Sequence, residues 1–147
     1  MSDAGGLPAT VAFRLATLGA IYGDRFAARI AALDLKPKHA GLMAALEAGV
    51  AASQQDLAAR MRVAPSLVVA LADHLAGLGA IERRRDPADR RRQVLTLTGH
   101  GRELLRRCTE AAREVDEEIA ADLGGDRRAA LHEALGVIAE REGLPTA

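Results

Sequence analysis

Eleven residues, Glu82 to Arg92 (ERRRDPADRRR), constrain the fold more than any other stretch. Arg83, Arg84, Arg85, Arg90, Arg91 and Arg92 stand there against Glu82, Asp86 and Asp89, in a chain whose formal net charge is zero. Such a cluster cannot enter a core, because each charge taken out of water without a good partner costs several kcal/mol. Asp86–Pro87–Ala88–Asp89, between the arginine triplets, is turn chemistry: proline pre-sets its backbone angle and aspartate bonds to its own turn. Ala80 and Ile81 lead in, and Gln93–Val94–Leu95–Thr96–Leu97 follows as a short strand-like run. The stretch therefore predicts a β-hairpin with arginines at its tip, held out from a compact body. That shape suits contact with phosphates or a narrow groove.

The flanks read as helices. Residues Met1 to Ala9 (MSDAGGLPA) are small and expected to be loose. Thr10 is placed to cap a long helix in which Val11, Leu15, Leu18, Tyr22, Phe26, Ile30 and Leu33 recur every three or four residues. Gly19 and Gly23, one turn apart, weaken it but permit another helix to come close. Pro37 opens a second helix to Ala48, with Leu42, Met43 and Leu46 inward. Ser53 caps a short third helix, with Asp56 placed to answer it in a near-capping-box. Pro65 starts a fourth, to Leu78, whose apolar stripe is Val68, Leu71, Leu75 and Leu78. Its other face carries Ser66, Leu67, Val69, Ala70, Asp73, His74 and Gly77. Two short helices joined by a tight turn form the helix-turn-helix pattern. Beyond the hairpin, Thr98 caps a helix to about Leu123, with Leu104, Leu105, Cys108, Ala112, Val115 and Ile119 inward. At 1.5 Å per residue this is a rod of about 40 Å, and something beyond so small a domain is expected to bury its stripe. Gly124–Gly125 breaks it, and Asp126 is placed to cap a last helix with Leu131, Leu135 and Ile138 apolar.

Composition removes whole classes of function. Aromatics make up 2% of the chain, with no Trp and one Tyr, which argues against an aromatic stacking surface for single strands or sugars. One cysteine, Cys108, excludes an intrachain disulfide framework. The four histidines, His39, His74, His100 and His132, are scattered without ligand spacing, so no metal is expected. No nucleophile–base motif, phosphate loop or cofactor fingerprint occurs, so neither an enzyme nor a cofactor is expected. Without a signal segment or an apolar span, a cytoplasmic protein is the expectation. Glu110, Glu114, Asp116, Glu117, Glu118 and Asp122 make an acidic pole facing the arginine-rich one, a dipole that would orient the chain on a polyanion.

The segment Ala52–Leu105 (ASQQDLAARMRVAPSLVVALADHLAGLGAIERRRDPADRRRQVLTLTGHGRELL) resembles the MarR family of transcriptional regulators. Four features stand in order: a short helix, a recognition helix ending in leucine and glycine, Asp89–Arg90–Arg91 in the wing, and Leu97–Thr98–Gly99–His100–Gly101 opening the next helix. The resemblance implies a mainly α fold with a small β-hairpin wing, a winged helix-turn-helix flanked by dimerisation helices. Residues 1–147 would form a single domain, with 10–34 and 98–142 making a homodimer and 36–97 binding DNA. It further implies a pseudo-palindromic operator, repression, and release by a small aromatic or anionic inducer. The implied DNA-facing residues are Ser53, Gln54, Pro65, Ser66, Leu67, Val69, Ala70 and His74 on the helices, and Arg83, Arg85, Arg90 and Arg91 on the wing. Arg91 matches the family's wing-tip arginine best, and Asp73 and Asp89 look like the acids that orient such arginines.

One departure stands out. Where the family commonly has polar residues on the recognition face, this chain has Leu67, Val69 and Ala70, which can meet thymine methyls but cannot read guanine. An alternative therefore stays open: a winged-helix module that docks a protein through this aliphatic face, with only weak non-specific DNA binding. For an inducer, Tyr22, Phe26, His39 and Met43 are the candidate lining, against ordinary core packing. Cys108, on the apolar stripe of its helix, reads as a buried thiol in preference to a redox switch.

Overall fold

The computed structural model describes residues 5–49 and 52–146. Met1 to Ala4, part of the loose start expected from sequence, lie outside the described residues, whereas Leu7–Ala9 forms a 3-10 turn. Six helices and one hairpin follow: α1 (Val11–Ile30), α2 (Pro37–Ala48), α3 (Gln54–Met61), α4 (Pro65–Gly77), β1 (Ile81–Arg85), β2 (Gln93–Leu97), α5 (Gly99–Ala120) and α6 (Gly124–Arg141). This is a mainly α winged helix-turn-helix with flanking helices.

Local chemistry sets most helix starts. The hydroxyls of Thr10, Ser53 and Thr98 accept the backbone N–H groups of Phe13, Asp56 and Gly101, each meeting a donor left over in a first turn. At α3 the capping box is complete, because Asp56 also accepts from the Ser53 amide at 3.1 Å. Pro37 and Pro65 sit at first helical positions. α1 ends three residues earlier than its apolar spacing suggests, tightening into a 3-10 turn over Ala31–Leu33. The last helix begins at Gly124 without a side-chain cap. Asp126 lies inside its first turn, where a carboxylate favours the helix dipole.

The core lies between α2, α3, α4, the hairpin base and the first half of α5. Leu42, Met43, Leu57, Val68, Leu75, Leu95 and Ile30 are fully buried, each contributing roughly 1.5–3 kcal/mol of apolar burial. The strands pair antiparallel from Ile81↔Leu97 to Arg85↔Gln93. A bridge between Ala52 and Leu95 adds a third edge, with N–H···O distances of 2.8 and 3.4 Å.

α5 corrects one expectation. Its inward side chains Leu104, Leu105, Cys108, Ala111 and Val115 are buried against this chain's own helices, with Ala111 in the place expected of Ala112. The apolar surface left uncovered lies instead on α1 (Leu15, Leu18, Ile21) and α6 (Leu131, Leu135, Val137, Ile138), and α6 buries no residue at all. The acidic run of α5 is answered from those same helices. Arg25 and Arg29 of α1 pair with Glu118 and Glu114, and Arg128 of α6 pairs with Glu117. The acidic pole is thus largely an internal brace.

The junction between hairpin and α5 is the tightest place in the fold. Thr98 donates from its hydroxyl to the Gly79 carbonyl at 2.6 Å and from its amide to the Ala80 carbonyl at 3.0 Å. A Cβ on Gly101 would lie 2.0 Å from that Ala80 oxygen, so only glycine lets α5 seat here. Gly79, with φ of +75°, makes the turn that brings the two backbones together.

Candidate nucleic-acid interface

The arginine stretch folds as its composition requires, into an exposed hairpin whose loop spans residues 86–92. Two aspartates shape that loop: Asp86 accepts from the Ala88 amide at 2.9 Å, and Asp89 from the Arg91 amide at 3.1 Å. The backbone closes through Asp86 N–H to Arg92 O at 2.8 Å and Arg92 N–H to Asp89 O at 2.9 Å.

The six arginines divide into two groups. Arg83 and Arg92 are tied to the body. Arg83 pairs with Asp73 of α4 and reaches Gln54 of α3 at 3.5 Å, while Arg92 pairs with Asp56 and donates to Ser53 Oγ at 3.1 Å. The others stand toward solvent. Arg84 pairs only with its neighbour Glu82, and Arg85 braces the loop by donating to the Arg90 carbonyl at 2.9 Å. Arg91 is 95% exposed, with Asp89 3.5 Å from its Nε. Arg90 is exposed at the crest, and its guanidinium makes no ion pair among the described residues. Asp89 therefore does sit with Arg91, but Asp73 orients Arg83 instead of a tip arginine.

The helices contribute less exposed aliphatic surface than their sequence suggests. Pro65, Ser66, Val69, Ala70 and Asp73 are exposed along α4, with Val69 40% open. Leu67 departs from the expected exposed face: it is half-buried and packs on the core. Two other expected DNA-facing residues are already engaged. Ser53 is only 8% exposed, its oxygen shared between the Asp56 amide and Arg92. His74 is half-buried, its Nε2 2.6 Å from the Asp34 carbonyl, with its ring stacked on His39 at 4.4 Å between centroids.

In that stack His39 is already engaged. His39 is buried, and its Nδ1 accepts the Lys36 amide at 2.9 Å, helping to start α2. Burial holds its pKa below the usual imidazole value, with His74 and Lys36 adding to the effect. Met43 is fully buried, Phe26 is packed against the core, and Tyr22 lies under the Arg25 guanidinium at 4.8 Å. These four residues line neither of two ligand-sized grooves found among the described residues. One, of about 780 Å³, runs between α2 and α5 past Ala44, Leu105, Arg106, Thr109 and Arg113. The other, of about 590 Å³, lies between α5 and α6 past Ile119, Arg128, Leu131 and Leu135. Cys108 is buried, and desolvation raises its thiol pKa, opposed by Arg107.

Sequence reasoning missed Arg92 and the second role of Asp56. The Ser53–Asp56 spacing marks the cap, but nothing local to residues 53–56 shows that a guanidinium 36 positions away will share it. Asp56 is held below the usual carboxylate range, first by the Ser53 backbone and hydroxyl bonds and then by Arg92. Among the described residues no cluster of three metal-binding groups occurs, and no helix is long and apolar enough to cross a membrane.

Residues 33–92 match the model of the MarR family. The chain is similar in structure to the transcriptional repressor CouR bound to a 23-mer DNA duplex: 28% identity, 95% of this chain and 99% of that one covered, TM-score 0.78. It is also similar to the transcriptional regulator BldR from Sulfolobus solfataricus, at 27% identity over 86% and 90% of the two chains, TM-score 0.72. A MarR-family transcriptional regulator from Rhodococcus sp. RHA1 shares the fold at 20% identity, covering 94% and 98%, TM-score 0.79. No protein of curated function matches the sequence.

Proposed function

We propose, on the premise that this chain carries the MarR-family winged helix over residues 33–92, that it is a DNA-binding transcriptional regulator. It acts in the cytoplasm as a homodimer on a pseudo-palindromic operator, represses, and is released by a small aromatic or anionic ligand. Residues 36–97 bind DNA and residues 10–34 and 98–142 make the dimer. The observation that carries the reading is the exposed pair Arg90–Arg91 at the crest of a braced hairpin, beside the open face of α4. Cations at that place suit the negative potential of a narrow minor groove. The DNA duplex bound by the structurally similar repressor CouR supports the same use of this shape.

Dimerisation is supported by the uncovered aliphatic residues of α1 and α6, a kind of surface that isolated chains rarely expose in contiguous patches. Gly19 and Gly23 face open space on α1, leaving room for a second helix to lie close. The groove between α2 and α5, whose lining mixes Arg102, Arg106 and Arg113 with Glu47 and Glu110 over Ala44 and Leu105, is a better-formed place for a small ligand than the surroundings of Tyr22 and Met43. The protein-docking alternative loses ground, because Val69 is the only large aliphatic of α4 left exposed.

Fluorescence anisotropy on a labelled pseudo-palindrome from the gene's own upstream region, against random duplex, tests the reading. Preference for the palindrome by about 10³-fold or more, with affinity falling steeply as salt rises, is the expected result. Equal, salt-insensitive binding to both duplexes would sink it.

A further inference from the structure

The residues 52–56 form a saddle on which both hairpin strands rest. Ala52 bridges Leu95 of β2 through two backbone bonds, Gln54 receives Arg83 from β1, and Ser53 with Asp56 receives Arg92 at the foot of β2. The acceptors for Arg92 are held without help from the hairpin, because Ser53 and Asp56 are locked to each other by the α3 cap. Both bonds leave one guanidinium nitrogen, Nη2, whose two N–H groups lie in a fixed plane, so two pre-placed oxygens fix its direction as well as its distance. Arg92 also sits where the seven-residue loop becomes strand, the point at which a tether controls tilt. Arg90 and Arg91 lie within two residues of it, no more than about 7 Å away, so a tilt of about 15° moves the crest by up to about 2 Å. That is enough to break the geometry of any hydrogen bond made there.

We propose that Arg92, anchored by Ser53 and Asp56, is a positioning residue that sets the angle of the wing against α3 and does not itself contact nucleic acid. The inference rests on the DNA-binding reading for its consequence, though not for its geometry. Arg91 and Arg92 are adjacent and identical in charge, yet Arg91 stands open at the crest with only Asp89 beside it, whereas Arg92 is tied back to α3.

The test compares Arg92→Gln, Asp56→Asn, the double variant and Arg92→Lys with the full-length protein. DNA affinity is measured by anisotropy on the upstream palindrome across a salt series. Asp56→Asn keeps an oxygen able to serve the cap while removing the charge that holds Arg92. Each single variant should weaken binding about five-fold with an unchanged salt slope. The double variant should be no weaker than the weaker single one, and Arg92→Lys should recover part of the loss. Hydroxyl-radical footprints should fade at the flanking minor grooves and persist under α4. In the absence of DNA, hydrogen exchange at the Leu95 amide should quicken several-fold in both single variants.

A salt slope reduced by about one in Arg92→Gln would make Arg92 a phosphate ligand and overturn the proposal. So would tighter binding by Asp56→Asn, or unchanged exchange at Leu95. If the unaltered protein binds no DNA while Leu95 exchange still responds, the DNA reading fails and the anchoring stands.

Discussion

The winged-helix segment and the two terminal helices of this protein are built to different standards of completeness. In the first, Val68, Leu75 and Leu95 vanish from solvent, and a single absent Cβ at Gly101 decides whether α5 can seat. In the second, Leu15, Leu18, Ile21, Leu135 and Val137 stand open, and Gly19 and Gly23 meet nothing within 4 Å. The difference teaches where the fold ends as a property of one chain. The winged helix finds its partners within the described residues, whereas α1 and α6 leave most of their large aliphatic side chains facing solvent.

Replacing Gly101 with alanine attacks the finished side and should have the largest effect. The clash is with a backbone oxygen that cannot turn away, so a loss of about 3 kcal/mol is expected, visible as a fall in Tm of roughly 10 °C. The matching change on the unfinished side, Gly19→Ala, should raise chain stability by up to about 1 kcal/mol through helix propensity if nothing packs there. If Gly19→Ala instead weakens self-association in sedimentation equilibrium, a second helix does lie against it.

Leu135→Asp comes next. Sedimentation velocity should show a shift toward monomer, with the far-UV spectrum of the protein almost unchanged. Loss of the winged-helix spectrum would mean that α6 belongs to the core after all.

Within the winged helix the comparison sharpens to two residues. Arg91→Ala should weaken operator binding about ten-fold and lower the salt slope by about one, with Tm unmoved. Leu67→Ala should do the reverse, costing roughly 1–2 kcal/mol of stability through lost packing and little affinity per folded molecule. Equal affinity losses would show that Leu67 reaches bases and that its half-buried position gives way on binding.

The smallest effect expected is on pH. His39 is held neutral, below its ordinary pKa, so the unfolded chain binds the proton more readily than the folded one. Stability from this group is full above the unfolded value of 6.5 and declines as pH falls from there toward the depressed folded value. Thermal melts between pH 7.5 and 5 should show that decline, and His39→Gln should flatten it. An unchanged slope in the variant would remove His39 as its source.

Much of this was legible from residues alone, for reasons that are local. Thr10, Ser53 and Thr98 announce helix starts because a cap acts within three residues. Asp86, Pro87 and Asp89 announce the loop because an aspartate bonds to its own turn. The hidden features are those that depend on which elements meet. Ala111 and Ala112 are indistinguishable to periodicity, and the direction of the neighbouring helices chose the former. Leu67 read as exposed by helical position, but it is half-buried against the core formed by neighbouring elements. Asp73 pairs with Arg83 and His74 with His39 because α4 lies between the hairpin base and the start of α2, a placement no spacing rule contains.

The missing side chain at Gly101 has a mechanical consequence. With α5 resting directly on the Ala80 carbonyl and Thr98 clasping Gly79, no hinge exists between the base of the wing and the long helix behind it. The two swing as one lever. Any displacement of the start of α5 is then carried to the base of the wing, and any tilt of the wing is carried back to α5.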